Sequence, residues 1–137
     1  MRHFFILCFL MLVSAYTFSQ QKNQKPEEQI RLYWFVMLKK GPNRTHDSTT
    51  AAQIQAGHME NMNKMYYDGK LKVAGPFGDD GDWRGVFILD CATKEEAEEL
   101  VKKDPAVVAG RLSYEIHPWY TAPTGNFAPG KPKKEKD

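Results

Sequence analysis

The apolar residues of the chain follow two rhythms, and the switch between them marks the elements. From Ile30 to Leu38 the side chains alternate, with Ile30, Leu32, Trp34, Val36 and Leu38 on one side and Tyr33, Phe35 and Met37 on the other. A period of two predicts a strand. Because both faces are apolar, helices should cover one of them and a partner subunit the other. A polar loop with Gly41, Pro42 and Asn43 follows. The next stretch, Thr50 to Asp68, predicts a helix stopped by Gly69, with Ile54, Met62, Met65 and Tyr66 on one face and His58 at the same azimuth. Gly57 interrupts it at a cost of about 1 kcal/mol relative to alanine. Either a close approach or a break between two short helices explains a glycine there.

Leu71 to Gly75 predicts a short strand, followed by a loop with turn glycines at 78, 81 and 85 and the acids Asp79, Asp80 and Asp82. Arg84 to Cys91 is a second apolar strand. Thr93-Lys94-Glu95-Glu96 spells a capping box, in which the threonine hydroxyl accepts from the Glu96 amide and the glutamate reaches back. The helix it opens carries Ala97, Leu100 and Val101 and stops at Asp104-Pro105. Leu112 to Trp119 alternates again, Leu112, Tyr114 and Ile116 against Ser113, Glu115 and His117. Strand, helix, strand, strand, helix, strand is the ferredoxin-like α+β order: one antiparallel four-stranded sheet covered by two helices.

The ends have a different character. Arg2 precedes an unbroken apolar run of ten residues, Phe4 to Val13, and then small and polar residues to Gln20. The run is shorter than the roughly 20 apolar residues that span a bilayer, so residues 1–19 read as a signal peptide. Residues 20–29 read as a polar linker, 30–120 as the folded domain and 121–137 as a flexible tail rich in proline and lysine. The expected location is periplasmic or secreted. Loss of Cys8 with the leader would leave Cys91 alone, a buried and inert thiol with no internal disulfide to form.

The 137 residues hold 19 basic and 17 acidic side chains, a formal charge of +2. Setting aside Arg2 and the lysine-rich tip leaves the remainder within one charge of neutral, which gives no basic stripe for nucleic acid and no electrostatic hold on a membrane. No histidine pair has the i, i+4 spacing of a zinc site and there is no Cys-x-x-Cys, so no metal is expected. The acids at 79, 80 and 82 lack the calcium-loop pattern and read as a solvated turn. The glycines at 78, 81 and 85 do not spell a nucleotide loop. Met59, Met62 and Met65 read as core filler along a helical stripe, and His46-Asp47 as a solvated pair. His58 is the best general acid or base in the chain, set against its plainer reading as a hydrogen-bonded core residue.

The segments HMENMNKMYYDGKLKVAGP, starting at His58, and DPAVVAGRLSYEIHPW, starting at Asp104, stand in a telling order and spacing. With them, residues 30–120 resemble the YCII-related (YciI-like) domain. The resemblance implies a homodimer in which two sheets pair into a dimeric α/β barrel. It also implies a pocket lined by His58 and Asp104 as catalytic residues, the aspartate fixing the imidazole tautomer, with Gly75 and Pro76 bringing backbone to the ligand. The implied activity is cofactor-independent lyase, isomerase or dehydrochlorinase chemistry on a small organic molecule. A non-catalytic module that holds a small ligand in the same pocket is the alternative.

Overall fold

The computed structural model describes residues 25–122. The leader reading of residues 1–19, the first half of the linker and the tail beyond residue 122 lie outside them. Within the linker, Pro26–Gln29 forms one turn of 3-10 helix with proline in its first turn, where the missing N–H costs nothing.

The elements of the domain are β1 (Arg31–Lys40), α1 (Ser48–Tyr67), β2 (Leu71–Pro76), β3 (Trp83–Leu89), α2 (Lys94–Lys102), α3 (Pro105–Val108) and β4 (Leu112–Thr121). The sheet order is β2-β3-β1-β4, and β3 runs antiparallel to both neighbours. Ser113 bonds the Lys40 carbonyl, Glu115 pairs with Lys39, and Trp119 meets Phe35. These contacts run in opposite directions along β1 and β4, so the last strand is antiparallel as well. The expected architecture is present, with one more helix. Asp104-Pro105 does stop α2, but Asp104 also caps α3 and Pro105 occupies its first turn. The dipeptide that ends one helix is a good start for the next, because an N-cap residue needs extended backbone and proline fixes the φ that follows.

Register decides which face is core. Trp34, Val36 and Leu38 stand opposite Leu89, Phe87 and Gly85. With Met65 of α1 and Ala97 and Val101 of α2, these strand residues build the core, in which Val36, Leu89, Ala97 and Val101 are wholly buried. Burial of such side chains is worth about 1.5–3 kcal/mol each. The stripe of α1 differs from the expected one at its end. His58 and Met65 are its buried residues, whereas Tyr66 is exposed. Tyr66 lies about 100° around the axis from Met65, past the edge of the stripe.

Two caps also differ in detail from expectation. In the capping box, Thr93 accepts from the Glu96 amide at 3.2 Å, but the Glu96 carboxylate reaches Ala92 N–H at 2.8 Å, one residue further back. A hydrogen bond from Lys70, ahead of that amide, holds the Glu96 carboxyl below its usual range. Asp47 is not an idle loop acid. It caps α1, accepting from Thr50 N at 2.9 Å and Thr50 Oγ1 at 2.7 Å, which lowers its pKa. Cys91 is buried as expected, and burial, with Glu96 nearby, pushes its thiol from 9.0 up to about 11.

The opposite face of the sheet carries Tyr33, Phe35 and Met37 of β1, with Ile88 and Val86 of β3 beside them. Tyr33, Phe35, Met37 and Val86 are half-buried, Ile88 stands apart from the core cluster, and the Trp119 ring meets Phe35 edge-on at 6.4 Å. Ile88 is itself buried.

Candidate functional site

Three elements converge beneath the core face of the sheet. α1 presents His58 nearly three turns after its start, and the α2–α3 junction presents Asp104. The ends of β2 and β3 supply the floor. Gly57 is what lets the first two meet. A Cβ built there would lie 2.9 Å from Cγ and 3.2 Å from Cβ of Pro105, so only a hydrogen allows α1 to press against the proline ring that follows Asp104. Of the two explanations for this glycine, close approach is the one the structure shows, since α1 continues through it unbroken.

Asp104 is fully buried and every hydrogen bond of its carboxylate is an acceptance. Its Oδ1 takes the Ala106 N–H at 2.9 Å, and its Oδ2 takes Asn61 Nδ2 at 3.0 Å and His58 Nδ1 at 2.8 Å. An ionised carboxylate has only lone pairs to offer, so these partners donate and Nδ1 of His58 bears the proton. The imidazole is held on a second side by Phe87, stacked at 5.9 Å with the rings tilted by 20°. The other nitrogen, Nε2, has no partner among the described residues, yet it is not a sealed orphan. The buried unpartnered side-chain atom among those residues is Nδ1 of His46.

His58 borders a cavity of about 540 Å³, within the range of small-molecule sites. Its walls are apolar at Leu38, Ile54, Met59, Met62 and Phe87. Met59 is 46% exposed and forms cavity wall rather than the core filler expected of it; Met62 packs against the core and also lines the cavity, and Met65 is buried core. Gly75 and Pro76 line the cavity as expected, but a Cβ at Gly75 would meet nothing within 4 Å. The glycine that close packing demands is Gly85, within β3 rather than a turn. A Cβ there would lie 2.8 Å from the Gly75 carbonyl oxygen. The structure thus brings together all four residues singled out in the sequence, His58 with Asp104 directly and Gly75 and Pro76 on the same cavity.

Sequence reasoning missed Asn61, the second donor to Asp104, although it stands one helical turn after His58 and hence on the same face. It also missed Arg44, Arg84 and Arg111, which reach the cavity from two loops and a strand end. No local spacing signals them. Elsewhere, His117 is exposed on β4, and among the described residues no cluster of three or more His, Cys, Asp or Glu is placed to hold a metal ion.

The strand and helix order defines a ferredoxin-like α+β protein. The model of the YCII-related domain matches residues 33–120, and the chain belongs to that family. The chain is 33% identical over 64 residues to the uncharacterized protein YjpA of Bacillus subtilis (strain 168), covering 47% of this chain and 73% of that one. Among solved structures, muconolactone isomerase aligns with a TM-score of 0.55 at 12% identity, over 71% of this chain and 97% of its own. The 5-chloro-2-hydroxyhydroquinone dehydrochlorinase TftG of Burkholderia phenoliruptrix AC1100, solved with 2,5-dihydroxybenzoquinone, aligns with a TM-score of 0.46 at 23% identity. That match covers 63% of this chain and 92% of TftG. The fold is like that of muconolactone isomerase.

Gly57→Ala tests the close approach. In an open helix the change would add about 1 kcal/mol of stability, but overpacking against a rigid ring costs about 1–3 kcal/mol. The urea midpoint should therefore fall, by about 1 kcal/mol in free energy. A rise would show that α3 yields freely and that the contact holds nothing in place.

Proposed function

We propose that this protein is an exported, dimeric small-molecule enzyme that moves a proton without a cofactor, with His58 as general acid–base and Asp104 as its positioning residue. One observation carries the reading. The imidazole is held at Nδ1 by a buried carboxylate 2.8 Å away, and the same residue borders a cavity of about 540 Å³. In that tautomer the Nε2 lone pair faces the ligand, ready to take a proton from carbon or oxygen and return it elsewhere on the same molecule. Proton abstraction followed by reprotonation is an isomerisation. Abstraction followed by loss of a leaving group is an elimination. Both fit the apolar walls, which exclude water from a short-lived anion.

A purified sample incubated in D2O with a panel of small cyclic ketones, lactones and hydroxyquinones gives a direct test. The wild type should incorporate deuterium at an acidic carbon of at least one compound, and His58→Ala should slow that exchange by about 10²–10⁴-fold. Exchange that survives the substitution would remove His58 from the chemistry. Saturable binding with no exchange would make the cavity a ligand-holding module instead.

The dimer reading is supported by Phe35, Met37, Val86 and Ile88, which share the sheet face turned away from the core cluster. Pairing two such faces would remove a contiguous apolar patch from water. Light scattering and intact mass of the secreted chain should return a dimer beginning at Gln20, and Met37→Lys should convert it to a monomer. A wild-type monomer, or a chain that keeps Met1, contradicts these readings.

A further inference from the structure

We infer that the cavity takes an anionic ligand, and that Arg44 and Arg111 hold its negatively charged oxygens while His58 works on another part of the same molecule. This inference rests on the reading of the cavity as a small-molecule site and names the ligand's charge. Arg44, Arg84 and Arg111 all line that cavity, and no aspartate or glutamate does. Asp104, the nearest acid to the imidazole, is fully buried behind it and already accepts three hydrogen bonds.

The guanidinium groups lack counter-charges. Among the described residues, neither Arg44, Arg84 nor Arg111 enters an ion pair. Arg44 donates from Nη1 to the Arg111 carbonyl at 3.1 Å, and Arg84 from Nη1 to the carbonyls of Asp79 at 3.3 Å and Gly81 at 3.5 Å. Those partners fix position without neutralising charge. The Arg111 guanidinium makes no hydrogen bond or ion pair among the described residues.

Fixed like charges around one concavity repel each other and focus positive potential inside it. Such an arrangement favours whatever anion completes it.

The two loops that carry Arg44 and Arg111 are also built as a unit. Gly41 N–H donates to the Arg111 carbonyl at 2.9 Å and Asn43 N–H to the Gly110 carbonyl at 2.9 Å. Asn43 Nδ2 reaches the Ala109 carbonyl at 3.3 Å, and its Oδ1 accepts from Thr45 Oγ1 at 3.1 Å. These bonds tie the β1–α1 loop to the turn before β4 and hold the arginines on one wall. The planar guanidinium fork matches two oxygens of a carboxylate or of an ionised hydroxyl-carbonyl pair. Such a group would also stabilise negative charge that develops when His58 removes a proton from a conjugated carbon.

Benzoate and benzamide share a shape and differ in charge, so calorimetric titration with the pair isolates the effect. At low salt the wild type should bind benzoate at least tenfold more tightly than benzamide. Arg111→Gln and Arg44→Gln should each weaken benzoate about tenfold and leave benzamide unchanged, and His58→Ala should keep the preference. Arg44 is exposed, so its variant keeps the test open should Arg111→Gln fail to fold. Equal binding of the two compounds, binding of neither, or a charge preference that survives both arginine substitutions overturns the inference. Deuterium exchange without charge preference would sink this inference alone. Charge preference without exchange would sink only the catalytic reading.

Discussion

The buried carboxylate of Asp104 is the constraint on which the site depends. A charge taken out of water is expensive unless donors surround it. Three donors from two helices satisfy this one: Ala106 N–H in the first turn of α3, and Asn61 and His58 of α1. The same bonds that make the burial tolerable also fix where α1 lies relative to the α2–α3 junction. They set the imidazole tautomer as a by-product. Stability and chemistry therefore share one set of contacts, and Gly57 is the steric condition that permits them.

That arrangement explains why the cavity has its particular character. α1 is pinned at His58, so the wall beyond it is made by residues about one turn to either side and by its neighbour, Ile54, Met62 and Met59. Methionine suits such a wall because its flexible thioether adapts to varied apolar shapes. The floor comes from β2 and β3, whose backbones can come close because Gly85 has no side chain to strike the Gly75 carbonyl. The charged side of the cavity is furnished by separate loops, which leaves acid–base work and anion recognition to different residues.

Local order was legible in the residues. The alternation of β1, the Thr93 cap, and His58 and Asp104 in their segments all stand where the chain spelled them. Contacts that depend on register or on loops meeting in space were not. Asn61 joins Asp104 from 43 positions away, and Arg44 reaches the Arg111 carbonyl across 67. The capping roles of Asp47 and Asp104 were hidden for a different reason. Each sits where a loop reading and a cap reading share the same residue types, so only the backbone distinguishes a helix that ends from one that begins. Gly85 reads as a turn from composition and proves to be a strand residue, because the need for a missing side chain comes from the neighbouring strand.

The central claim is that Asp104 holds the proton of neutral His58 on Nδ1 and turns Nε2 to the cavity. Long-range nitrogen–proton NMR of histidine-labelled protein reads this tautomer for the His58 ring directly. The account predicts a neutral form with Nδ1 protonated and Nε2 bare, and loss of that preference in Asp104→Ala. A neutral ring protonated at Nε2 in the wild type would contradict it.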